Sequence, residues 1–196
     1  MIKMLVINGS PRFRGNTETV LDAFIEGAKE AGAEVTKIRL VEIHHKNCSG
    51  CNSCHKDGHC ILNDELTPVF DQMMQSDILV LASPIYSMSV TAEMKSFIDR
   101  GQFLWAQKFV TKTLSFDKEH LAKHTGVYLA TSGQDIPHIF DSAFPVVRAF
   151  FNDSGFSYTE NVLFPGMDQH GGAKGWPESL VEAKRRGKEI VMKMKK

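Results

Sequence analysis

Two hydrophobic rhythms alternate along this chain. Residues 2–8 form an apolar run, the mark of a strand covered on both faces. From about Asn16, the positions Val20, Phe24 and Ala28, with Leu21 and Ile25 beside them, keep helical spacing until Gly32 supplies a stop. Val35, Ile38 and Leu40 suggest a second strand, and Leu66, Val69, Phe70 and Met73 a helical stripe. A third buried strand at 77–82 runs into Ser83-Pro84-Ile85-Tyr86, and a helix over roughly 90–100 turns Met94, Phe97 and Ile98 inward. Thr125 to Ala130 reads as a fourth strand, ending at Thr131-Ser132-Gly133, and Phe156 to Leu163 as a fifth. Phe140, Phe144, Val147 and Phe151 share one helical face, which reads as core. Pro177 opens a closing helix with Leu180, Ala183, Gly187, Ile190 and Met194. Strands alternating with helices predict an α/β fold with a parallel sheet covered on both faces. In such sheets ligands bind at the carboxyl ends of the strands, so the loops after strands one, three and four should carry function.

Composition adds limits. The 196 residues suit one domain, 1–196, with no linker and an insertion at about 44–62 that is too long and polar for an ordinary connection. Lys+Arg and Asp+Glu balance at 23 each, so no nucleic-acid or membrane surface is expected. With no apolar run long enough to span a bilayer and no signal-type start, a cytoplasmic location is expected, where thiols stay reduced.

The segment Gly9-Ser10-Pro11-Arg12 leads into Gly15-Asn16-Thr17 at a helix start. Ser10, Asn16 and Thr17 offer hydroxyl or amide donors, Arg12 a charge-assisted one, and the helix its free N–H groups. No lysine follows Gly15 as in a Walker loop, and no Gly-x-Gly-x-x-Gly follows strand one, so a mononucleotide phosphate fits better than a dinucleotide. The plain alternative is a β–α turn with Asn16 as helix cap.

All four cysteines fall within thirteen residues, as Cys48-x2-Cys51-x2-Cys54-x5-Cys60. Three thiols at intervals of three suit a chain wrapped around one inorganic centre, and the longer last gap lets Cys60 return to it; a single [4Fe–4S] cluster is the leading expectation. Zinc on the same thiolates, a thiol–disulfide switch helped by His44, His45, His55 or His59, or thiols that only pack the loop remain open.

Gly-Ser-Pro-Arg-x-x-Gly-Asn-Thr at 9–17, together with Ser83-Pro84-Ile85-Tyr86 and the helix at 92–100, resembles the flavodoxin-like NAD(P)H-dependent FMN reductases. The compact cysteine motif most resembles the iron-sulfur flavoproteins within that superfamily. The resemblance covers about residues 1–133 and implies a flavodoxin-like three-layer sandwich with a five-stranded parallel sheet, order 2-1-3-4-5. It assigns Ser10, Arg12, Asn16 and Thr17 to the FMN phosphate. Pro84, Ile85, Tyr86 and Ser87 go to the flavin ring and ribityl chain, with Thr131, Ser132 and Gly133 approaching the ring. It further implies an oxidoreductase or electron-transfer protein working with NAD(P)H, a small-molecule acceptor or ferredoxin, assembled as a homodimer or homotetramer. No protein acid or base is expected to be catalytic.

Three features stand outside this scheme. Phe103-Leu104-Trp105 reads as core or an oligomer contact, the aperiodic stretch 165–172 as a mobile lid carrying His170, and the basic C-terminal tail as a solvated helix end.

Overall fold

The computed structural model describes residues 1–195. In chain order the elements are β1 (Ile2–Asn8), α1 (Asn16–Glu30), β2 (Ala33–Arg39), the short α2 (Cys54–Asp57), α3 (Thr67–Met73), β3 (Ile78–Pro84), α4 (Ala92–Arg100), α5 (Gln102–Phe109), α6 (Lys118–Lys123), β4 (Thr125–Thr131), α7 (Ala143–Ser154), β5 (Ser157–Phe164) and α8 (Pro177–Met194). The strands form one parallel sheet in the order β2-β1-β3-β4-β5, the flavodoxin-like order expected.

Alternation along each strand divides the core. Met4, Val6, Val80, Ala82, Val127 and Leu129 face Val20, Phe24 and Ala28 of α1 and Ala183 and Ile190 of α8. Leu5, Ile7, Leu79, Leu81, Tyr128 and Ala130 face Phe70 of α3, Phe97 of α4, Leu104 of α5 and Phe151 of α7. Helices thus cover both faces, as the continuous apolar character of β1 and β3 requires. No helix among the described residues is long and apolar enough to cross a membrane.

The boundaries of three expectations shift. Phe140 precedes α7 rather than riding on it, yet remains buried at 7 % exposure, so the stripe is core for a different local reason. Phe103-Leu104-Trp105 lies in a helix of its own, α5, where Leu104 enters the core and Trp105 stays partly exposed. The stretch 165–172 is not a free lid. Gly166 N–H donates to the Gln134 carbonyl, Met167 N–H to that of Ser132 at 2.9 Å and Asp168 N–H to that of Gly133 at 3.0 Å, while Ala173 N–H donates to Asn16 Oδ1 at 3.0 Å. Backbone bonds to residues 132–134, and the Asn16 side chain at its C-terminal flank, pin it as a wall.

Candidate functional site

At the end of β1 the chain is held by backbone geometry. Gly9 N–H donates to the Ala82 carbonyl at 2.8 Å, and Ser10 N–H to Asn8 Oδ1 at 2.9 Å. Only glycine fits at position 9, because a Cβ there would lie 2.7 Å from Met94 Cβ. Thr91 locks this contact by donating its hydroxyl to the Gly9 carbonyl at 2.6 Å while capping α4. Gly15 is the N-cap of α1 and brings no side-chain cap, so the first N–H groups of the helix are left open. Asn16 is therefore not the cap of an ordinary turn. Its Oδ1 holds the Ala173 N–H, which leaves its amide NH2 as the free donor among the described residues.

Glu18 organises the outer side of this loop. One oxygen accepts from Arg14 N–H at 2.6 Å, and the other lies 2.9 Å from Lys37 Nζ and 3.1 Å from Arg39 Nε. Burial alone would raise the Glu18 carboxyl, but Lys37, the Arg14 N–H and Arg39 together hold it below its ordinary value. A carboxyl lowered on folding stabilises fully above its unfolded value of about 4.3 and loses that contribution as pH falls through the lower folded value. Glu18→Gln should cost about 1–2 kcal/mol at pH 7 and flatten the acid limb of stability below about pH 4.5. Urea titrations from pH 3 to 7 measure both effects.

The carboxyl ends of β1, β3 and β4 enclose a cleft of about 220 Å³, lined by Ser10, Arg12, Gly15, Asn16, Thr17, Pro84, Ile85, Tyr86, Thr131, Ser132, Gly133, Met167 and Asp168. All the sequence-assigned flavin residues meet there except Ser87. That residue sits exposed at the tip of a tight turn, where Tyr86 and Ser89 exchange backbone bonds and Ser87 and Met88 take φ of 47° and 67°. The turn needs two left-handed residues and has no glycine to supply them, which stores strain at the cleft rim. The Ile85 and Tyr86 N–H groups are already bonded to the carbonyls of Thr131 and Ser89. Thr17 and Thr131 hydroxyls pair at 2.7 Å across the cleft floor.

Met167 and Asp168 escaped the sequence reading, since nothing in an aperiodic stretch marks which residues it turns inward. A larger cavity of about 370 Å³ lies beside Leu121, Arg148 and Tyr158 at the opposite end of β5. Size favours that cavity; the position of ligands in parallel sheets favours the smaller cleft, and its convergent polar donors decide the matter.

The cysteine segment is irregular apart from α2 and curls through left-handed Gly50, Asn52 and Gly58. Its thiols are all free. Burial pushes the Cys54 thiol up. The exposed Cys51 thiol is lowered by the backbone N–H and hydroxyl of Ser53. No three His, Cys, Asp or Glu side chains among the described residues stand as a metal-ligating group. Of the neighbouring histidines, His45 bonds Ser96 Oγ at 2.9 Å, His55 lies tilted against Trp105, and His44 and His59 are exposed.

Comparison with known proteins places this geometry. An iron-sulfur flavoprotein of Archaeoglobus fulgidus is 38 % identical over 99 residues, which is 50 % of this chain and 45 % of that protein. The chain thus spans about half the length of the curated relatives it matches first. A second iron-sulfur flavoprotein of the same organism is 24 % identical over 97 % of this chain and 90 % of its own. The NAD(P)H:quinone oxidoreductase of Methanothermobacter marburgensis superposes with a TM-score of 0.70 at 15 % identity, covering 96 % of each chain, a likeness of fold. Residues 2–136 match the family described as NADPH-dependent FMN reductase, spanning every loop of the cleft except the Met167–Asp168 wall, and the chain belongs to that family.

Proposed function

We propose that this chain is an FMN-dependent oxidoreductase whose second redox centre is a [4Fe–4S] cluster on Cys48, Cys51, Cys54 and Cys60. The cradle carries the flavin half. Uncapped N–H groups of α1, a buried Asn8 Nδ2 with no partner and an Arg12 without an ion-pair partner among the described residues gather at the end of β1. Such a set suits a dianionic phosphate. Ser10, Arg12, Asn16 and Thr17 would hold it, with Pro84, Ile85 and Tyr86 toward the ring and ribityl chain and Thr131, Ser132 and Gly133 approaching the ring from the third loop. The cleft of about 220 Å³ opens at a rim formed by Tyr86, where a reaction partner could reach bound flavin.

The donor set supports the cluster. Four free thiols on one curled segment make an all-sulfur donor set of the kind an iron-sulfur cluster takes. Bound FMN would supply hydride acceptance and single-electron release, and the cluster one-electron relay. NAD(P)H or ferredoxin would be the donor, a quinone, a free flavin or similar small molecule the acceptor. A homodimer or homotetramer would cover the exposed Tyr86 and Met88 at the rim.

The absence of a preformed ligating trio among the described residues favours a second reading: an NAD(P)H-dependent FMN or quinone reductase whose cysteines are structural, zinc-bound or thiol-active. A visible spectrum of anaerobically purified protein, with iron, sulfide and zinc assayed on the same sample, separates the two. Flavin bands with about four irons and four sulfides per chain support the first. Flavin without iron supports the second, and no flavin overturns both. Arg12→Ala tests the cradle itself. FMN affinity should fall about 10- to 100-fold, while riboflavin, which lacks the phosphate, should bind as before.

A further inference from the structure

Helix α4 joins the two places where chemistry gathers. It begins at Thr91, bonded to Gly9 of the phosphate loop, and ends at Arg100 beneath the cysteine segment. Arg100 is 2 % exposed. Its Nη1 donates to the Lys46 carbonyl at 2.7 Å and to Asp64 Oδ2 at 2.6 Å. Its Nη2 donates to Asp64 Oδ1 at 3.2 Å and to the Leu62 carbonyl at 3.5 Å. Lys46 precedes Cys48 and Leu62 follows Cys60, so one guanidinium ties together both ends of the loop that carries every cysteine. Asp64 extends the tie by accepting Lys46 N–H at 3.1 Å. Burial raises the cost of the Arg100 charge, but Asp64 and Cys60 more than offset it. Cys60 and Arg100 also share a small cavity of about 120 Å³ with Phe70 and Phe103.

We propose that Arg100 is the positioning residue of the cysteine segment: it clasps residues 46–64 into a closed loop and fixes a positive charge beside Cys60 that favours the more negative, reduced state of the cluster. The clasp follows from the bonding pattern alone; the charge effect rests on the cluster reading above. The planar fork matters to the first, since lysine cannot reach a carboxylate and two carbonyls at once. Net charge beside the sulfurs matters to the second, because it is among the factors that set a cluster's potential.

Arg100→Gln and Asp64→Asn separate the two effects. Both break the bidentate pair, so in chelator-treated, iron-free protein both should let a protease cut between residues 46 and 64 about tenfold faster than in wild type. Arg100→Lys should fall between, and it serves as the folded control if the glutamine variant is unstable. In loaded protein, Arg100→Gln should lower the cluster midpoint and Asp64→Asn should raise it, with the flavin midpoint of each variant unchanged. A purely structural tie would move both variants the same way or neither, and that result overturns the charge role. Wild-type cleavage rates in both variants overturn the clasp. Wild-type protein that purifies anaerobically without iron removes the cluster reading and the charge role with it, while proteolysis still decides the clasp.

Discussion

On the proposed cluster reading, Cys51→Ser should strip the iron from the protein and leave its FMN bound. Cys51 is the exposed cysteine of the four and bonds Ser53, two residues on in the same segment, so its loss disturbs no core packing. Cys54 would be a poorer choice, because it lies in α2, which packs on α5 through Gly58 and His55. A serine hydroxyl is a weak ligand for iron, and a cluster held by three thiolates is readily lost. Iron and sulfide should drop from about four of each per chain to near none. The 9-residue helix α4, about 13 Å long, stands between the cysteine segment and the phosphate loop, so the flavin absorbance should not change. Loss of both centres together would contradict the separation of the two sites, and iron retained at wild-type level would remove Cys51 from the ligand set.

The largest expected effect on stability lies far from either centre. Gly27→Ala should cost about 3 kcal/mol of unfolding free energy, at the upper end of overpacking penalties. Helices α1 and α8 cross backbone to backbone. A Cβ on Gly27 would stand 1.9 Å from the Lys184 carbonyl oxygen, and one on Gly187 would stand 2.0 Å from that of Phe24. Neither obstacle is a flexible side chain, so the helices themselves would have to part. Alanine is otherwise the better helix former, by about 1 kcal/mol, which makes the sign of the result informative. Urea unfolding should show a lower midpoint with an unchanged slope. A stabilised Gly27→Ala protein would mean that the two helices are not in contact. Since α1 also carries the phosphate loop, FMN affinity should fall with stability in this variant. Riboflavin affinity should fall with it, unlike in Arg12→Ala.

The alternation of strands and helices and both covered faces were legible because buried strands and amphipathic helices repeat with short periods that any stretch of chain displays, whereas the sheet order came only from the family resemblance. The loops at 9–17 and 83–86 were legible because glycine, proline and donor residues cluster locally where a strand ends. Helix α5 was not, since Gly101 reads as the end of α4 and eight mostly apolar residues show no polar face. Ser87 was placed in the cleft by resemblance, yet the left-handed turn at Ser87 and Met88 carries it to the exposed tip.

What the chain determined by itself was therefore local: which segments are strands and helices, that one loop is suited to phosphate, and that four thiols lie close along the chain. Tertiary structure decided everything that depends on partners distant in sequence. The Asn16 amide oxygen is spent on Ala173, 157 residues away, which leaves its NH2 for the cleft. Met167 and Asp168 become a wall because they bond back to the turn after β4. Nothing along the chain marks Arg100, and only the fold brings Asp64, 36 residues before it, and the two carbonyls beside the cysteines to its guanidinium. Such contacts have no period and no fixed spacing. They exist only once the sheet has brought the loops to one edge, and there the chemistry of the site is assembled.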